Sequence, residues 1–164
     1  MGAGAGRCRV NDVRSRIDDP LMVELYDYWA GKCRGDRIPA RSDVDPVDLP
    51  RQLPNLMLID VMGPPLRFRY RLVGTQVVAA SAEDRTGAFF DAVEFFRKNP
   101  IVMTQYQEVV ETRRAALSLE PFRNFVDGTT YEVERLILPL AGDGRTVDML
   151  IVCFSFKTGP WARR

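Results

Sequence analysis

There is no histidine anywhere in the 164 residues. That removes the commonest general base, the commonest metal ligand, the usual proximal haem ligand and the phosphoacceptor of a histidine kinase. Ser-His-Asp and Cys-His catalysis are excluded, because each is missing a member. Cysteine is scarce as well. Cys8, Cys33 and Cys153 are an odd number with no paired spacing, so neither a disulfide framework nor a cysteine zinc site is expected, and a reduced setting suits them. No metal centre is expected either. An excess of one charge is also missing: 23 Lys and Arg stand against 22 Asp and Glu, a formal charge of +1. Nothing in that balance draws the chain to nucleic acid or to a charged membrane surface. No apolar run is long enough to span a bilayer, and MGAGAGRCRV lacks the apolar core of a secretory signal. A cytoplasmic protein is expected.

What the chain does have is alternation and punctuation. Asp19-Pro20 is a helix cap followed by proline at the first helical position. Leu21, Leu25, Trp29 and Cys33 then recur every four residues, with Met22 and Tyr26 widening the stripe, which predicts one amphipathic helix ending near Gly31–Gly35. Residues 36–54 carry Pro39, Pro46, Pro50 and Pro54 and read as a loop with a helical turn around Val47–Leu53. Leu56–Val61 and Arg67–Val73 are strands joined across Gly63-Pro64-Pro65. Thr75–Ala82 is helix-permissive, Phe89-Phe90 and Phe95-Phe96 form an aromatic cluster on short segments, and Asn99-Pro100 opens a helix bearing Val102, Tyr106, Val109 and Val110 on one face. The remainder reads as a meander: Leu117–Phe125, Tyr131–Leu140 and Val147–Phe156, separated by Asp127-Gly128 and Gly142-Asp143-Gly144. Pro121 suggests an edge position or a bulge for the first of these. Residues 1–17 are expected to be a flexible tail, 18–157 one domain and 158–164 a short C-terminal tail.

A strand running straight into a short helix, as in RYRLVGT followed by DRTG within Leu66–Gly87, resembles the start of a PAS domain. It is similar in particular to bacterial PAS proteins that consist of this one domain and little else. Matching stretches recur in LYDYW with IPARSDVDP, in LPNLMLID and in YEVERLILPL, so the resemblance extends from Leu21 to Phe156. It implies an α+β fold: a five-stranded antiparallel sheet with helices on one face, a flanking N-terminal helix, and strand Leu56–Val61 paired with Val147–Phe156. It also implies a pocket between the sheet and the helices after the second strand. The candidate lining is Phe68, Tyr70, Leu72, Tyr131, Val133, Arg135, Met149 and Ile151; the plainer reading is a filled core. An inward Arg135 needs an anion or a carboxylate, and Glu120 or Asp148 is the expected partner. Arg67, Arg69 and Arg71 alternate away from Phe68 and Tyr70, so they cannot join those rings in gripping a nucleic-acid strand; a solvated face balanced by Glu132 and Glu134 is expected. No cysteine falls between Cys33 and Cys153, which leaves no flavin-photosensor motif, and a histidine-ligated haem is impossible. Which cofactor is bound, if any, is unknown at this level.

The expected function is that of a stand-alone PAS-type sensory or signalling module, without enzymatic activity, that binds a small molecule or a partner protein. Only KTGPWARR follows Phe156, so the output is expected to pass in trans to another protein. As in many PAS dimers, Leu21, Met22, Leu25, Tyr26 and Trp29 are candidate contacts of a homodimer. Two rivals differ in kind. One is a ligand-free interaction adaptor with a packed core. The other is a small cone-shaped isomerase or hydrolase using Tyr70 or Tyr131 with Asp148 for proton transfer.

Overall fold

The computed structural model describes residues 13–123, 127–160 and 162; Cys8 and most of the expected N-terminal tail lie outside them. The end of that expected tail is structured. Val13–Arg16 forms a helical turn, α1, in which Val13 is buried, as is Ile17 beyond it, while Arg14 pairs with Asp27 at 2.7 Å. Two apolar side chains at this spacing give the segment a reason to pack. Cys33 is disulfide-bonded, so the expectation of no disulfide needs correction; Cys153 is buried.

Helix α2 spans Pro20–Lys32 and begins where the cap signal places it: Asp19 Oδ1 accepts from the backbone N–H groups of Leu21 at 2.8 Å and Met22 at 3.4 Å. The proline-rich loop that follows makes three single turns of 3-10 helix, Arg41–Asp43, Pro46–Asp48 and Leu53–Asn55. Strands β1 (Leu56–Met62) and β2 (Arg67–Val73) form the first hairpin, and Gly74 passes the chain into α3 (Thr75–Ser81). Only glycine fits there. A Cβ on residue 74 would lie 2.5 Å from the carbonyl oxygens of both Leu53 and Pro54. Helices α4 (Glu94–Lys98) and α5 (Pro100–Thr112) precede strands β3 (Ala116–Arg123), β4 (Thr130–Leu140) and β5 (Met149–Phe156).

The sheet is antiparallel throughout, in the order β2-β1-β5-β4-β3. β5 joins the two hairpins, with Leu56 opposite Cys153 and Asp60 opposite Met149. Pro121 sits on edge strand β3, where its missing N–H matters least. One face of the sheet receives α5 and the aromatic cluster. There Phe90 stacks on Phe96 at 4.0 Å and meets Phe68, Tyr70 and Tyr106 at 4.7–5.4 Å.

The opposite face carries α2. Met22, Leu25, Tyr26 and Trp29 are buried within the chain's own core, Trp29 being only 3% exposed with its Nε1–H donating to Pro139 O at 2.8 Å. Ser155 Oγ donates to Asp19 Oδ2 at 2.5 Å and ties the start of α2 to β5. The expectation that Leu21, Met22, Leu25, Tyr26 and Trp29 form a dimer contact is therefore corrected: four of them are spent on the sheet, and Leu21 alone keeps partial exposure. The apolar stripe had a closer surface to cover than a second copy.

Arg67, Arg69 and Arg71 are balanced differently from the expectation. Glu134 pairs with Lys157, whereas Asp60 of β1 receives both Arg69 at 2.8 Å and Arg71 at 2.7 Å, and Arg67 pairs with Asp91 at 2.8 Å. Burial pushes the Asp60 carboxyl up, but the hydrogen bonds from Arg71 and Arg69 outweigh it and leave the pKa below the ordinary value.

Two outcomes follow. Trp29→Ala should lower stability in urea denaturation by about 3–5 kcal/mol, since it removes a buried ring and its hydrogen bond, while Leu119→Ala on an exposed site should change it by less than about 0.5 kcal/mol. The folded-state pKa of Asp60 lies below its unfolded value, so its contribution is complete above the unfolded pKa of about 4 and fades as pH falls through the folded one. Asp60→Asn should then be less stable than wild type at neutral pH, with the gap closing in strong acid; a constant gap across the titration would contradict the pairing.

Candidate functional site

Between the sheet and α3–α5 the aromatic cluster packs Phe90 against Phe68, Tyr70, Phe96 and Tyr106 but leaves a gap lined by residues of β1, β2, β4 and β5. What it leaves is a cavity of about 80 Å³. Tyr70, Val133, Phe154 and Phe156 form its sheet wall, Val77 and Ala80 of α3 and Phe95 and Phe96 of α4 its helix wall. Small residues on α3 make the hollow: Val77 and Ala80 stand where larger side chains would close it. Arg135 forms one end.

Arg135 is 5% exposed and its guanidinium is held from two elements, β3 and α5. Nη2 donates to Glu120 Oε1 on β3 at 2.7 Å, to Ser118 Oγ at 3.4 Å and to Gln105 Oε1 on α5. The guanidinium also lies over the Tyr106 ring, 5.4 Å from its centroid. Arg135 thus points inward and pairs with Glu120, one of its two expected partners. Asp148 is elsewhere, with Oδ2 accepting from Gly142 N at 2.8 Å. The Nε–H of Arg135, also buried, has no acceptor. Burial pushes the phenols of Tyr70 and Tyr106 well above their ordinary range, Tyr70 against the opposing pull of Arg85 and both against that of Arg135, so both hydroxyls stay protonated.

Of the eight residues expected to line a pocket, the cavity brings together Tyr70, Val133 and Arg135. Phe68 is on the correct face but packs into the aromatic cluster, against Phe90 and Tyr106. Tyr131 shares the face too, at the far end of β4, where its hydroxyl donates to Asp127 Oδ2 at 3.2 Å. Leu72, Met149 and Ile151 are on the other face. For Leu72 the cause is a β-bulge: Leu58 faces Leu72 while Ile59 faces Tyr70, so Arg71 is an extra residue and the alternation slips, leaving Leu72 44% exposed. In β5 the pairing of Ile151 with Leu58 and Leu138 fixes the parity, and Leu150, Val152, Phe154 and Phe156 face the helices. Sequence reasoning missed Gln105 and the phenylalanines at 95, 96, 154 and 156. For Phe154 and Phe156 the signal was the alternation Phe154-Ser155-Phe156, read in the opposite phase; Phe95-Phe96 stood out only as an aromatic pair.

A second, open groove of about 940 Å³ lies alongside, bounded by the segment after α3, by α4 and by the end of β3. It shares Glu83, Arg85, Phe95 and Phe122 with the cavity, and Arg85 Nε meets Glu83 Oε2 at 3.3 Å on that common wall. The acid–base pairs considered from the sequence are not assembled: Asp148 holds a turn and is absent from the cavity wall, and Tyr131 is occupied with Asp127.

Residues 17–154 match the family model described as a PAS domain. No curated protein matches the chain in sequence. Among solved structures, the LOV protein of Rhodobacter sphaeroides superposes with a TM-score of 0.51 at 11% identity, covering 65% of this chain and 60% of that one. The light-state structure of the blue-light photoreceptor Aureochrome1 LOV gives 0.50 at 10% identity, over 66% of this chain and 84% of that one. An RNA-binding light-oxygen-voltage receptor gives 0.50 at 17% identity, over 73% and 36%. This chain therefore spans less than two thirds of the length of the Rhodobacter protein. At such identities the likeness is one of fold.

The flavin of light-oxygen-voltage domains does not fit this hollow. A cavity of about 150 Å³ is filled by benzene alone, the one here is smaller, and no cysteine lines it.

The ion pair at its end generates a prediction. Arg135→Leu leaves Glu120 facing a partly buried site without its cation and should lower stability by about 3–5 kcal/mol. Adding Glu120→Leu to it should restore a large part of that loss in urea denaturation. Purely additive losses would show that the two side chains do not act as a pair.

Proposed function

The chain belongs to the PAS-domain family, a family of sensory and signalling modules, and from that premise we propose that it binds a small molecule in the cavity closed by Arg135 and signals in trans through contacts with another protein. The supporting observation is the cavity itself. An ordinary filled core has no need of a buried guanidinium, and burying one is expensive unless every hydrogen is met. Here the guanidinium is held in place by Glu120, Ser118 and Gln105, while its buried Nε–H has no acceptor. Side chains set in this way are pre-organised for a guest rather than for packing. The walls of the cavity are shared between the sheet and three short helices, so a guest that favours one arrangement of α3 and α4 shifts the population toward it, and a partner reading those helices receives the signal. The module carries out no reaction of its own in this proposal. We place it in the bacterial cytoplasm; no helix among the described residues is long and apolar enough to cross a membrane.

Native mass spectrometry of the gently purified full chain should show a mass beyond that of the polypeptide, released on denaturation, and Ala80→Phe, which fills the hollow, should abolish it while the far-ultraviolet spectrum is kept. A bare polypeptide mass together with capture of a defined protein by both wild type and Ala80→Phe would favour the ligand-free adaptor instead.

A further inference from the structure

Helix α2 is fastened to the outer sheet face over β4 and β5, by Trp29 on Pro139 O and by Asp19 on Ser155. On β1 and β2 that face keeps apolar surface open. Leu58, Asp60 and Met62 of β1 share it. Leu58 lies opposite Leu72 and Asp60 opposite Arg69, and the bulge puts Arg71 and Leu72 on the same side. Leu72 and Met62 are 44% and 40% exposed, and Leu58 is half-buried between strands. Apolar surface rimmed by charge in this way is the usual mark of an interaction site. Asp60 sets its electrostatics. Asp60 Oδ2 accepts from Arg69 Nε at 3.0 Å and Nη2 at 2.8 Å, and Oδ1 accepts from Arg71 Nε at 2.7 Å. One carboxylate thus answers two guanidiniums, and one positive charge is left over. The carboxylate is buried, whereas the Arg69 and Arg71 side chains are 37% and 54% exposed. Both Nη groups of Arg71 and Nη1 of Arg69 have no acceptor among the described residues. Asp60 already orients these donors, so a second carboxylate meets them without first ordering a loose side chain.

We propose that the outer face of β1 and β2 docks an acidic amphipathic helix of a partner protein, whose glutamate or aspartate meets the free Nη donors of Arg71 and Arg69 while a neighbouring apolar side chain covers Leu58 and Leu72. This goes beyond the cavity reading and holds whether or not the hollow is filled. Geometry and charge argue against other occupants. A partner cannot add as a strand at Tyr70, whose N–H already donates to Ala88 O at 2.9 Å and whose carbonyl accepts from Gly87 N at 2.7 Å. It has to come onto the face, as a helix does. A second copy of this chain, meeting the patch by two-fold symmetry, would set arginine against arginine. Nucleic acid gains from a row of free cations, but Arg67 is taken by Asp91 at 2.8 Å and one uncompensated charge stands beside leucine. Spacing agrees with a helix too. Leu58 and Asp60 are about 7 Å apart along their strand, and side chains three or four apart on a helix are neighbours at about 5–6 Å.

The test titrates the isotope-labelled full chain with a terminally blocked helical peptide of alanine, leucine and glutamate, each glutamate four residues from a leucine. It reads the methyl signals of Leu58, Leu72 and Met62 and the Nε–Hε signals of Arg69 and Arg71. These should move saturably, while the methyls of Val77 and Val133, on the cavity side, stay still. The same peptide with glutamine for glutamate should bind about tenfold more weakly, through loss of a charge-assisted contact. Comparing the two peptides on the wild-type chain does not depend on a variant that folds. Arg71→Gln, which leaves Asp60 its bonds with Arg69, and Leu72→Glu, at an exposed site, should each weaken the acidic peptide by about the same factor. Equal binding of the glutamine peptide would overturn the acidic assignment. No saturable shift, or shifts confined to Val77 and Val133, would overturn the docking surface and leave the cavity reading untouched. Shifts of Leu58 and Leu72 that grow with protein concentration alone would replace the partner helix by a second copy. Tighter binding of single-stranded oligothymidylate than of the acidic peptide would replace it by nucleic acid, and either result overturns the proposal.

Discussion

Everything described here depends on the pairing of β1 with β5. Leu56–Asp60 and Met149–Cys153 are some ninety residues apart in sequence, and closing so long a loop is costly in entropy before any contact is made. β5 overcomes that cost because it is hydrogen-bonded on both edges and covered on both faces. A strand in that position reads as a continuous apolar run, and Met149–Phe156, MLIVCFSF, is such a run. Without it the chain would hold two separate hairpins, each too small to be stable alone. With it, the inward-facing residues of β2, β1, β5 and β4 form one surface that α5 and the aromatic cluster cover, leaving the cavity of about 80 Å³ between them.

Most of this was legible in the sequence, and the reasons are local. Asp19-Pro20 starts a helix because a carboxylate caps backbone N–H groups and proline has none to cap. Phe68 and Tyr70 face the helices because alternation along a strand is strict. Pro121 falls on an edge strand because it cannot donate to a ladder. What failed was phase. A bulge at Arg71 is invisible to a period-two reading, yet it turns Leu72 to the opposite face. In β5 both faces are buried, so hydrophobicity gives no phase, and only the partner strands decide that Ile151 faces away from the cavity and Phe154 toward it. The role of α2 failed for a related reason. An amphipathic stripe announces that something covers it but carries no information on what, and here the nearest apolar surface was the chain's own sheet.

The cavity shows why the buried arginine was partly readable and its surroundings were not. Arg135 stands out in YEVERLILPL because a charge in an apolar strand must be answered. The answer came from Glu120, which is on the adjacent strand and two positions from register with it, and also from Gln105 on a helix thirty residues earlier. Neutral hydrogen-bonding residues on helices leave little trace in a sequence. Small residues leave less still: the hollow exists because α3 presents Val77 and Ala80 toward a wall that Val133 does not fill.

A sheet is one residue thick, and that gives the cavity a mechanical neighbour. Val133, Arg135, Phe154 and Phe156 line the hollow; Glu134, Leu136, Cys153 and Ser155 alternate with them on the same two strands and face α2. Ser155, between the two lining phenylalanines, is the residue whose hydroxyl holds Asp19, and Asp19 in turn caps α2. A displacement of β5 that widens the cavity therefore moves the anchor of α2 by a comparable amount, because the backbone between Phe154 and Phe156 has no slack in an extended conformation. The α2 side chains cannot absorb that shift independently, since Trp29 is bonded to the backbone of β4 at Pro139. The helix on the outer face is thus attached to both strands that form the wall of the cavity, and the state of the hollow and the position of α2 are set by the same two strands.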